Sequence, residues 1–152
     1  MLTFAMEVLA TRAPTVSFVH SFPGPVKSNI ARDSNMVNLV LRTIFVVIGP
    51  FIYIPNDESG DRHVFIATSE RYPAASGKES VAHVGLEKGV TISRGTDAVE
   101  GSGMYTTDQV CEASGSGVEE MLARMREEHA PAKVWEHTEA EFMRMVGTKS
   151  MQ

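Results

Sequence analysis

Residues 22–28 read Phe22-Pro23-Gly24-Pro25-Val26-Lys27-Ser28, directly after the apolar run Thr15-Val16-Ser17-Phe18-Val19 and the pair His20-Ser21. A Pro-Gly pair at the end of a buried strand, with a hydroxyl residue four positions after the glycine, brings backbone close to a ligand. That is binding chemistry. Other residues that could do chemistry are scattered. The five histidines, at 20, 63, 83, 129 and 137, include no pair at i, i+4, so no zinc motif is present. No Gly-x-Ser-x-Gly elbow of a serine hydrolase occurs. Gly101-Ser102-Gly103 and Gly115-Ser116-Gly117 lack the strand, helix and lysine context of a phosphate loop, and Glu119 and Glu120 would repel an anion at the second. Both read as turn or cap. His20 faces the same way as Phe18 and Phe22, and a satisfied histidine at the core edge is favoured over a pocket residue. Arg42, inside an apolar stretch, either snorkels to the surface or binds an anionic group.

Composition bounds the rest. With 152 residues, 43% of them hydrophobic, the chain is long enough for one domain with a real core. A net charge of -5 leaves no basic stripe for a nucleic acid. The single cysteine, Cys111, excludes an intrachain disulfide and fits a reducing, cytoplasmic setting. The opening MLTFAMEVLATRAP has no basic start and carries Glu7 in its apolar part, so a cleaved signal peptide is not expected.

The elements that would position the turn follow from periodicity. Leu2, Ala5, Met6 and Leu9 predict a helix over 2–12, stopped by Pro14. Thr15–Phe22 predicts a strand covered on both faces, as in a parallel sheet. Asp57-Glu58-Ser59 predicts the start of a helix running to about Arg71, with Val64, Phe65 and Thr68 on one face. Residues 73–89 read as a surface loop, and Val90-Thr91-Ile92 and Met104-Tyr105-Thr106 as short strands around a turn-rich segment. Capping boxes at Ser116…Glu119 and Thr138…Glu141 predict two further helices, with Trp135 and Phe142 pinning a charged tail to the body. The stretch 36–54 is the most apolar in the chain. Arg42 and Gly49-Pro50 argue for a buried lid or packing helix over a membrane span, with membrane-surface contact as the alternative.

In this order, the helix, the strand, Pro23-Gly24-Pro25-Val26-Lys27-Ser28 and the apolar cover resemble the second half of the short-chain dehydrogenase/reductase family. Pro23, Gly24 and Val26 match the family's Pro-Gly-x-Val-x-Thr, and Ser28 keeps the hydroxyl of its threonine. ESGDRHVFIATSERYP resembles the family's next helix, and GVTISRGTDAVEGSGMYTTD with the tail looks like a fungal subgroup, many of them in secondary-metabolite pathways. The resemblance implies the C-terminal part of a Rossmann-like α/β fold with an incomplete parallel sheet. It gives 1–111 as dehydrogenase-like and 112–152 as a helical tail. It also implies NADP or NAD as cofactor, with Pro23, Gly24, Val26 and Ser28 around its nicotinamide end, and residues 29–55 as a substrate lid.

Two family features are missing from these 152 residues: the glycine-rich pyrophosphate turn and the catalytic Tyr-x-x-x-Lys. Asp57, Ser76 and Gln109 stand four places after Tyr53, Tyr72 and Tyr105. The expectation is therefore a truncated oxidoreductase-like chain without catalytic residues or metal, inactive in hydride transfer alone. The open edge of strand 15–22 would favour a homo-oligomer or a partner chain, with a small-molecule pathway intermediate as ligand. The alternatives are a non-catalytic interaction module and a cofactor-independent isomerase or cyclase.

Overall fold

The computed structural model describes residues 1–26, 52–77 and 84–147. The predicted first helix forms as α1, Leu2–Arg12, and buries Phe4 and Ala10. Its last turn closes with the Ala13 N–H on Leu9 O, and Pro14 prevents continuation. The following strand, β1, is shorter than expected, Phe18–Ser21, and all four of its residues are half-buried. Val16 and Phe22, at the ends of the predicted strand, are exposed.

β1 pairs in parallel with β2, Met104–Thr107, in the register Phe18 with Met104 through Ser21 with Thr107. The long crossover between them carries α2, Asn56–Thr68. Two more helices follow, α3 at Ser116–Glu127 and α4 at Ala130–Val146. The result is an α/β arrangement of a two-stranded parallel sheet and four helices among the described residues.

The sheet is covered on both faces. On one face His20 Nδ1 meets the Thr3 hydroxyl of α1 at 2.9 Å, which satisfies the histidine as its place at the core edge predicts. On the other, Tyr105 lies edge-to-face with Tyr72, which does the same with Phe65 of α2. Tyr72, Tyr105 and Phe4 are the largest fully buried side chains. Gly103, just before β2, has φ 87 and runs so close to residue 75 that a Cβ would lie 2.7 Å from the Ala75 nitrogen.

Edge coverage is unequal. The outer edge of β2 is closed by its own chain, with the Thr96 N–H on Met104 O and the Ser114 N–H on Thr106 O. In β1 the N–H groups of Phe18 and Phe22 serve Gly103 O and Thr107 O. Val19 and Ser21 therefore turn their backbone groups outward, and no strand among the described residues meets them.

Three expectations need correction. α2 ends at Thr68 rather than near Arg71, and its inner line is Ser59, Arg62 and Ile66; Val64 and Phe65 are exposed, although the Phe65 ring meets the buried Tyr72 ring edge-to-face. Residues 90–92 form no strand, since their neighbours Arg94 and Glu100 make only an isolated bridge. Thr138 does not start a helix. α4 begins at Ala130 after His129 in the left-handed region, with Pro131 in its first turn, and the Thr138 hydroxyl donates back to Val134 O.

Trp135 does pin α4. It is buried, and the Arg12 guanidinium lies 4.3 Å above its ring. Glu7 of α1 takes two hydrogen bonds from Arg126 of α3, which also donates to Thr96 O. The predicted lid at 29–55 and the apolar stretch at 36–54 lie almost wholly outside the described residues. No helix among the described residues is long and apolar enough to cross a membrane.

Candidate functional site

In open parallel sheets ligands bind beyond the carboxyl ends of the strands. Here those ends are Ser21 and Thr107, side by side in the register. The Pro-Gly turn leaves from the first and a tight loop from the second.

The turn is shaped by its prolines. Phe22 stays in the ladder through its N–H to Thr107 O at 2.9 Å, and its ring is exposed. Pro23 and Pro25 have no N–H, so Gly24 supplies the one backbone donor between them. Gly24 has φ 73, a left-handed conformation that suits glycine. The Val26 N–H then closes on Gly24 O at 2.9 Å, and the Ile54 N–H on Pro25 O at 3.1 Å. Among the described residues nothing pairs with the Gly24 N–H or the Phe22 and Pro23 carbonyls. The turn thus offers a donor and two acceptors beside an aromatic ring. Of the four residues expected at a cofactor, Pro23, Gly24 and Val26 share this turn, and Ser28 lies outside the described residues.

The loop after β2 is held from many sides. Asp108 Oδ1 accepts the N–H groups of Val110 and Glu112, both at 2.9 Å, and Thr107 bridges Ala113. The Tyr72 hydroxyl donates to Cys111 O at 2.6 Å, and Arg71 pairs with Glu112 at 2.5 Å. Arg62 of α2 donates to Gln109 O and pairs with Glu58. At its crest Gln109 is exposed, and Gly24 rests against it: a Cβ on Gly24 would lie 2.6 Å from Gln109 Oε1 and 2.8 Å from Ile54 Cδ1. Sequence reasoning missed Arg62, Asp108 and Gln109. A signal existed for Asp108, an aspartate directly after a β-run, where its carboxylate caps amides further on.

Burial holds two phenols and the thiol near this end in their neutral forms. Burial is the main cause that raises the Tyr72 phenol from its ordinary 10.0 to about 12, and Cys111, once its thiol ionises, would add to the rise. Burial likewise raises Tyr105, and it raises the Cys111 thiol against the lowering influence of Arg62. Both phenols donate to carbonyls, Tyr105 to Pro73 O at 2.6 Å, so they act as core hydrogen bonds. A thiol shifted upward is a poor nucleophile. Among the described residues no three His, Cys, Asp or Glu gather to hold a metal ion.

The chain is 35% identical to the oxidoreductase AN1596 of Emericella nidulans, over 92% of this chain and 41% of that protein. It is 28% identical to the oxidoreductase andH of Emericella variicolor, over 97% of this chain and 43% of the relative. A third relative, the NmrA-like family domain-containing oxidoreductase notO of an Aspergillus species, is 30% identical over 93% of this chain and 37% of its own length. The chain thus spans about two fifths of the length of these curated fungal oxidoreductases. No protein-family model matches it, and no solved structure is significantly similar.

Proposed function

We propose that this chain is the nicotinamide-side part of an NAD(P)-dependent oxidoreductase of the short-chain dehydrogenase type. The reading places it on a carbonyl or alcohol intermediate of a fungal secondary-metabolite pathway. The observation that carries the oxidoreductase part is the match of 92% of the chain to one fungal oxidoreductase at 35% identity. The turn at the carboxyl end of β1 supports the placement of Pro23, Gly24, Val26 and Ser28 at the cofactor. Its Gly24 N–H and its Phe22 and Pro23 carbonyls, which nothing among the described residues pairs, suit a neutral carboxamide, and the exposed Phe22 ring suits a flat heterocycle. When bound, the dinucleotide would supply the hydride. This chain's share is to bind and orient the nicotinamide end, because its sequence holds neither the pyrophosphate turn nor the Tyr-x-x-x-Lys pair.

The test joins this chain to the segment of the Emericella nidulans relative that it does not match, and follows NADPH or NADH oxidation with a panel of ketones. Turnover by the joined protein and none by the chain alone is expected. Gly24→Ala should reduce turnover, while Gly117→Ala, where a Cβ meets nothing within 4 Å, should not. Turnover by neither protein, or turnover indifferent to Gly24, contradicts the reading.

A second reading is favoured by one observation, the outward backbone groups of Val19 and Ser21 on an edge that no described strand covers. A second copy or a partner chain pairing there would make the module an interaction element.

A further inference from the structure

We propose that Gln109 is the positioning residue of the Pro23–Val26 turn, held at its height by Arg62. The functional consequence rests on the reading of that turn as cofactor-facing; the structural inference does not. Gly24 takes up φ 73 with its missing side chain replaced by two neighbours, the Gln109 side chain and Ile54. The contact is close: a Cβ on Gly24 would lie 2.6 Å from Gln109 Oε1 and 2.9 Å from Gln109 Cβ. A turn with two prolines and one i to i+2 hydrogen bond has little of its own to fix it. Its seat must come from outside.

The loop under it is the opposite case. Cys111 sits at φ 64, a conformation that a non-glycine residue adopts at a cost and keeps only when its surroundings over-determine it. Here Asp108, Tyr72, Arg71 and Arg62 do so from three directions. Of these, Arg62 alone grips the backbone of residue 109 itself, and it reaches there from α2 across 47 positions in sequence. A rigid loop is therefore built beneath an exposed glutamine, and the loosely tied Pro-Gly turn leans on that glutamine. Any shift of α2 that releases Arg62 would lower the seat and let the turn relax.

Amide hydrogen exchange on the unmodified chain and on three variants tests this. The reporters are the Val26 and Ile54 amides, bonded to Gly24 O and Pro25 O; the controls are Ser93 and Thr96, bonded to Arg71 O and Met104 O. Gln109→Ala should speed exchange at the reporters by roughly tenfold and leave the controls unchanged. Gln109→Glu, which keeps length and shape, should restore slow exchange, and Arg62→Met should imitate Gln109→Ala. Unchanged reporters in Gln109→Ala, equal acceleration of the controls, or failure of Gln109→Glu to rescue would each overturn the proposal. None of these readouts needs cofactor, so the outcome stands whether or not the proposed function does.

Discussion

At Gly24 the backbone stands at φ 73, with Gln109 and Ile54 occupying the space a side chain would need. Gly24→Ala should then cost about 1–2 kcal/mol from the left-handed conformation, and more if Gln109 cannot yield. The midpoint of urea unfolding measures it. Tyr72 is constrained differently, through its hydroxyl on Cys111 O. Its folded pKa, about 12, lies above the ordinary 10.0. Below 10 both folded and unfolded chains hold the proton, and the stabilisation is fully present. As pH rises from 10.0 to about 12 the unfolded chain releases its proton first, so stability falls across that window. Tyr72→Phe should flatten part of that fall while lowering stability at neutral pH by about 1–2 kcal/mol, which paired denaturation curves at several pH values would show. Sequence made the turn legible because Pro-Gly after a β-run has few other meanings. It hid Gln109 and Arg62, whose roles exist only through distant contacts: Gln109 meets Gly24 across 85 positions, and Arg62 meets Gln109 across 47.

Among the elements, those whose pattern is local were readable. α1 and β2 lie where spacing and β-branched composition place them. The misreadings came where a local motif met a tertiary fact. Thr138…Glu141 has the form of a capping box, yet Trp135 is buried in the same helix and α4 runs through it from Ala130. In α2 the apolar Val64 and Phe65 suggest an inner face, but the core offers tyrosine rings rather than a flat apolar floor, and Ile66 turns inward instead. The contact between α1 and α4 gives a prediction at this scale. Trp135→Ala should cost about 3 kcal/mol, since it empties a buried site and removes the ring under Arg12. Glu7→Gln should cost about 1–2 kcal/mol by loosening Arg126, which joins α1, α3 and Thr96. Thermal unfolding of both variants checks the pair.

For the whole molecule the question is what completes a two-stranded parallel sheet. β2 is closed by its own loops, and no strand among the described residues meets β1 where Val19 and Ser21 turn their backbone groups outward. If that edge mediates association, Val19→Lys should shift the protein towards monomer in analytical ultracentrifugation. If another part of the molecule buries the edge, the same change should lower the melting temperature without altering mass. The central claim, however, concerns the turn. It is tested most directly by isotope-filtered nuclear Overhauser measurements on the joined protein saturated with NADPH, labelled in this chain alone. Contacts from the nicotinamide protons to the Gly24 amide and the Val26 methyls are predicted. Cofactor bound with its nicotinamide contacts elsewhere, and none to residues 23–28, would contradict the account.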